Sequence, residues 1–150
     1  MFTKAQIPAN VPIKEFTGKI YTSEELPHDS SVFLQVSSNL FIGPIGTVKG
    51  VDFINHSCNP NCYIHVLGGR AILYSLYVIQ AGSELTFDYS TTSTDSLDSW
   101  KMDCQCGYNK CRKVISGFQY LPQDIKDKYN QRGIIPLFIS HPTLIKKRIP

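Results

Sequence analysis

Apolar positions along the chain fall in short runs, many of them alternating, and turn residues interrupt them often. Residues 7–21, IPANVPIKEFTGKIY, read as a turn, a short strand and a break at glycine. Residues 32–46, VFLQVSSNLFIGPIG, predict a hairpin that turns at Ser37-Ser38-Asn39. RAILYSLYVI, 70–79, predicts a strand too apolar to face water on both sides. AGSELTFDYS, 81–90, opens with a turn; Leu85, Phe87 and Tyr89 then alternate onto one face, with Thr86 and Asp88 on the other. The polar stretch STTSTDSLDSWKMD, 90–103, predicts a linker or mobile loop. LPQDIKDKYNQRG, 121–133, predicts a helix: Pro122 suits its first turn, Ile125 and Tyr129 share a face, and Gly133 ends it. No internal repeat is present. The expected class is mainly β, of the α+β kind, with one short helix near the C-terminus.

Composition narrows this picture. A chain of 150 residues with 42% hydrophobic content supports one domain with a real core and argues against disorder. The net charge of +3 is small and its Lys and Arg are scattered, so no direct nucleic-acid binding is expected. A basic or disordered peptide partner remains compatible with that charge. No apolar run approaches the roughly 20 residues of a membrane helix, and the N-terminus lacks a signal-peptide core. An intracellular protein, of cytoplasm or nucleus, is the expectation. In that setting Cys58, Cys62, Cys104, Cys106 and Cys111 read as metal ligands, catalytic thiols or core residues rather than disulfides.

Two segments concentrate the chemistry. NHSCNPNC, 55–62, has no large apolar side chain, yet it lies between the apolar runs VDFI and YIHVLGG. CQCGYNKC places Cys104, Cys106 and Cys111 in a C-x-C-x4-C spacing within a polar segment. Zinc takes four tetrahedral ligands and favours thiolate, so a fourth must come from elsewhere, with Cys58 and Cys62 as candidate donors. A shared ion would draw residues 104–111 onto the NHSC loop. Asn55 offers a donor and an acceptor. His56 can support a ligand or hold backbone, and Tyr89 ends its strand with a hydroxyl among apolar neighbours. Singly, each of these has an ordinary structural reading; the combination carries the argument.

FINHSCNPNC, IQAGSELTFDY and CQCGYNKC, in this order and spacing, resemble the SET-domain protein lysine methyltransferases that carry a post-SET zinc segment. FTKAQIPANVPIKEFTGKIYTSEEL is similar to the opening of that family, so the likeness covers residues 2–117. It implies a SET β-clip with a knot-like C-terminal segment, a post-SET zinc loop and the short helix. The implied division is a SET domain over 1–100, a post-SET segment over 101–117, and a C-terminal helix and tail over 118–150. The family's Gly-x-Gly would precede the position matched by Phe2, so the domain reads as N-terminally shortened.

The resemblance further implies S-adenosylmethionine as cofactor, contacted by Asn55 and His56. It makes Tyr89 the catalytic tyrosine, and Phe87 with Tyr89 the lining of the substrate channel. Cys58 would join Cys104, Cys106 and Cys111 on Zn2+, leaving Cys62 as a small buried residue. The implied reaction is methyl transfer to the ε-amine of a lysine in a protein or peptide, histones included. The rival reading is a catalytically silent SET-like zinc module that acts by binding protein. Completion of the substrate groove by a partner or by a homo-oligomer is a further expectation. His65 and His141 are expected to play no catalytic part, and KKR at 146–148 to be a solvated tail.

Overall fold

A computed structural model describes residues 1–27, 33–44, 54–94 and 100–142. Ten strands and two helices follow one another along them: β1 Pro12–Phe16, β2 Lys19–Thr22, β3 Leu34–Gln35, β4 Leu40–Gly43, β5 Asn55–His56, β6 Cys62–Leu67, β7 Arg70–Ser75, β8 Thr86–Phe87, β9 Lys101–Asp103, β10 Val114–Ser116, α1 Gln123–Gln131 and α2 Leu137–Ser140. They form four small sheets, ordered β1-β7-β6, β2-β4-β3, β5-β8 and β10-β9. The mainly β class read from the alternating pattern is the class observed. No helix among the described residues is long and apolar enough to cross a membrane.

The β6–β7 hairpin turns on Gly68 and Gly69, whose φ of +58° and +77° suit a residue without Cβ. Period-two alternation sends Cys62 and Ile64 from β6, and Ala71 and Leu73 from β7, into the core. There they meet Phe16, Leu34, Ile42, Ile54, Leu85 and Phe87. The second sheet contains the hairpin expected at 37–39: Ser37 Oγ accepts from the Leu40 amide at 3.0 Å and closes the turn. Gly18 lets β2 approach β4, because a Cβ there would meet the Gly43 carbonyl oxygen at 2.2 Å.

Three expectations need correction. The strand expected over 70–79 stops at Ser75. Ser75 Oγ donates to the Pro8 carbonyl at 2.6 Å, and the next amide, that of Leu76, donates to the Asn61 carbonyl at 2.8 Å. The ladder therefore ends there; Tyr77 and Val78 are exposed, and Ile79 makes a separate bridge to Ile7. The stretch expected to be a linker over 90–103 is also more structured at both ends. Ser90, Thr91 and Thr92 are buried in a 3-10 turn, and residues 101–103 form β9. Residues 95–99 of that stretch, and KKR at 146–148, lie outside the described residues. Finally, the helix begins one residue after Pro122 and is followed by a second, α2, which was not expected. Gly133, at φ +63°, follows α1 as anticipated.

Two features position the site. β5 and β8 pair in parallel, with Asn55 opposite Thr86 and His56 opposite Phe87, and the whole β6–β7 hairpin intervenes in sequence. The C-terminal elements fold back on that hairpin: Leu121, Tyr129, Ile134 and Ile135 form a second cluster against Tyr63 and Leu76.

Candidate active site at the β5–β8 crossing

The parallel pairing is held by an amide clamp. Asn61 Nδ2 donates to the Glu84 carbonyl at 2.8 Å, while its Oδ1 accepts from the Thr86 amide at 2.9 Å. The ladder continues with the Ser57 amide donating to the Phe87 carbonyl at 3.1 Å. At this point the chain leaves the strand. Asp88 caps a 3-10 turn by accepting from the Ser90 amide, and Tyr89 becomes its first residue.

Tyr89 is fixed at both ends. Its hydroxyl donates to the Ile54 carbonyl at 2.8 Å, and its amide donates to His56 Nδ1 at 3.2 Å. Its ring meets Phe87 at 4.9 Å and His56 edge-on at 5.3 Å. Burial raises the phenol above its ordinary pKa, and the negative charge of Glu84 adds to that shift. Tyr89 is therefore a neutral hydrogen-bonding group near pH 7. Phe87 is buried beside it and also packs edge-on to Phe16 at 6.5 Å.

The two expected cofactor contacts face different ways. Asn55 is exposed, and its Nδ2 donates to Glu84 Oε1 at 2.6 Å. The His56 side chain is only 5% exposed and points inward. Because Nδ1 accepts the Tyr89 amide, the ring proton belongs on Nε2, 3.3 Å from Cys58 Sγ. Burial lowers the His56 pKa to about 4, the Arg112 charge lowers it further, and Asp88 opposes both. The ring is neutral at physiological pH.

The cysteines converge beneath this ring. Cys58 Sγ and Cys104 Sγ are 3.7 Å apart, and ligand atoms of His56, Cys58, Cys104 and Cys106 all lie within 4.8 Å of one another. Thiolates about 2.3 Å from a shared tetrahedral zinc would be separated by about 3.8 Å, so the observed spacing fits the ion. Cys111 packs in the same cluster, with its Sγ 3.7 Å from the Cys104 carbonyl. Cys62 does not join it; it is buried in the main core, and burial raises its thiol to about 12. Burial likewise raises Cys58 and Cys104. At Cys106 burial opposes ionisation, but the amides of Cys58 and Tyr108 and the neighbouring thiols outweigh it, bringing the pKa to about 6. A thiolate at neutral pH is the form that binds metal.

Four polar residues at the centre were not among the candidate site residues: Asn61 and Arg112, and Asp88 and Tyr129, which were read only as face positions of a strand and a helix. Asp88 is 1% exposed. Arg112 grips it with two hydrogen bonds of 2.7 Å, and the Tyr129 hydroxyl donates to Oδ2 at 3.0 Å. The legible signal for Asp88 was a lone charge inside the apolar run LTFDY. For Arg112 it was adjacency to Cys111.

A small β framework with two segments paired in parallel, a half-buried tyrosine beside them and a thiol cluster beneath it defines a recognisable class. The description "SET domain" matches residues 1–90, and the chain belongs to that family. It is 30% identical over 129 residues to histone-lysine N-methyltransferase trithorax of Drosophila virilis, covering 77% of this chain and 3% of that protein. Over 68 residues it is 45% identical to histone-lysine N-methyltransferase set-2 of Caenorhabditis elegans, covering 43% of this chain and 4% of the other. KRYPTONITE, solved in complex with mCHG DNA and SAH, matches with a TM-score of 0.61 and 27% identity over 76% of this chain and 26% of that one. The chain thus spans a small fraction of the length of these relatives.

Proposed function

We propose that the chain catalyses S-adenosylmethionine-dependent methyl transfer to the ε-amine of a protein lysine, with Tyr89 as the catalytic residue. The observation that carries this reading is the Tyr89 hydroxyl, locked at 2.8 Å on the Ile54 carbonyl and walled by Phe87 and His56. Histone-lysine N-methyltransferase relatives and a fold neighbour solved with SAH support it. A basic protein segment such as a histone tail is the substrate class.

The chemistry asks for a neutral amine, since free lysine has a pKa of about 10.4 and is charged at pH 7. A substrate channel lined by Phe87 would disfavour the ammonium form. With its proton on the Ile54 carbonyl, the Tyr89 oxygen accepts an N–H of the amine and so leaves the lone pair free and aimed at the methyl group; such alignment can supply up to about 7–11 kcal/mol of the barrier. Its raised pKa makes it an orienter rather than a base. When bound, S-adenosylmethionine supplies the activated methyl group. Asn55 fits the cofactor by its exposed amide, with Glu84 beside it as an acceptor for an ammonium group. His56 contributes backbone to the cofactor side, because its ring is turned inward to support Tyr89 and Cys58.

Cys58, Cys104, Cys106 and Cys111 are the proposed zinc ligands. His56 Nε2–H donates to the Cys58 sulfur and so orients a ligand instead of becoming one. The ion's contribution is structural: it ties the 104–111 loop to the base of the channel.

Calorimetric titration with S-adenosylhomocysteine and a methyl-transfer assay on Tyr89→Phe test the proposal together. The expected outcome is measurable binding by both wild type and variant, with transfer lost only in the variant. Undiminished transfer by Y89F would remove Tyr89 from its role. Absence of binding by well-folded wild type would favour the silent protein-binding module instead.

A further inference from the structure

The helix α1 carries one side chain whose chemistry its packing does not require. Tyr129 is 3% exposed and surrounded by Leu121, Ile134 and Ile135, surroundings that suit Phe equally well. Its hydroxyl instead reaches the Asp88 carboxylate, next in sequence to Tyr89. Two carboxylate oxygens offer about four acceptor positions. Here four donors fill them: the Tyr129 hydroxyl and Arg112 Nη1 on Oδ2, and Arg112 Nη2 and the Ser90 amide on Oδ1. His56 Nδ1, itself accepting from the Tyr89 amide, lies 3.5 Å from Oδ1.

Asp88, Arg112 and Tyr129 belong to three different parts of the chain. Arg112 directly follows Cys111, and its own amide points at Cys58 Sγ at 3.5 Å. Asp88 caps the turn that presents Tyr89. Tyr129 belongs to the C-terminal helix. We infer that Tyr129 is a positioning residue for the methyl-transfer centre, acting through Asp88 to hold the Arg112 loop and the Tyr89 turn in one arrangement. The C-terminal helix thereby becomes a working part of the site, although residues 118–142 fall outside the matched SET segment. The inference concerns the centre assigned under the proposed function and rests on that reading for its catalytic consequence; the mechanical coupling does not depend on it.

The test compares full-length Tyr129→Phe with Ile134→Val, a neighbour in the same apolar cluster that makes no contact with Asp88 in the hydrogen-bond network. Hydrogen–deuterium exchange reads the coupling without requiring activity. Y129F is expected to speed exchange in peptides spanning 104–116 by about tenfold or more, the low end for one lost hydrogen bond to a charged group, while I134V leaves them unchanged. In the transfer assay Y129F is expected to lower kcat by about tenfold with peptide KM within about twofold, because alignment is lost and not binding. Equal exchange in Y129F and wild type would overturn the inference, as would a loop loosened to the same degree by I134V. A wild type with no transfer activity would sink the proposed function, and the exchange comparison would still decide the coupling.

Discussion

The carboxylate of Asp88 shows how much a single side chain decides here. An ionised carboxylate buried away from water is costly unless it is paired and fully hydrogen-bonded, and Asp88 has both conditions met. Asp88→Asn keeps the size but turns an NH2 group onto an Arg112 N–H donor whichever way the amide faces. It also leaves the Arg112 guanidinium, 13% exposed, without its counter-charge. Urea unfolding should show a loss of about 3 kcal/mol, the scale for breaking a buried ion pair from one side. A change below about 0.5 kcal/mol would mean that water reaches the pair. The sequence pattern made Tyr89 and Phe87 stand out and misplaced Asp88. Period-two alternation held as far as Phe87, and the backbone then turned into a 3-10 segment that alternation does not describe. Partners for Asp88 come from 24 and 41 positions away, and no local pattern announces such pairings.

Elements whose signal is local were legible: the 37–39 turn, the alternation of Leu85 and Phe87, and the helix that ends before Gly133. The limit of β7 was not, because it is set by Ser75 and Asn61 bonding to other segments. Asn61 also governs the β5–β8 crossing. Two-residue strands have little ladder of their own, so the side chain that bonds backbone on either side of Leu85 sets their register. Asn61→Ala should leave the Glu84 carbonyl and Thr86 amide without these partners, at a cost of about 1–3 kcal/mol. The prediction is local as well as global. Amide exchange at Thr86 should accelerate by about tenfold while Leu73, in the centre of the main sheet, changes only as far as overall stability does. Uniform acceleration across both would show that Asn61 is a general stabiliser and not the clamp of the crossing.

At the scale of the whole molecule, the question is what holds the C-terminal third against the SET core. The β9–β10 pair has only three residues on each strand, and such a hairpin is marginal in water on its own. Its apolar anchoring is the small cluster of Ile115, Cys58 and Cys104 with Trp100 and Tyr108. An ion bound by the thiols would therefore supply much of the free energy that orders residues 104–111, whereas the main sheet and the α1 cluster have cores of their own. Strong chelation should accordingly loosen 101–116 before the β1-β7-β6 sheet, seen as a first transition with little change in the main-sheet amides. The ligand assignment predicts one zinc per chain by elemental analysis in the wild type. It also predicts the same stoichiometry in Cys62→Ala, because that thiol belongs to the core, and a markedly reduced value in Cys106→Ala. Loss of zinc from C62A at unchanged fold, or its full retention in C106A, would reverse the division between core and ligand cysteines. The Asp88–Arg112–Tyr129 group gives the same segment a second attachment that needs no metal. Chelated Y129F should then release residues 104–116 more completely than either treatment alone, since the two attachments hold the same loop independently.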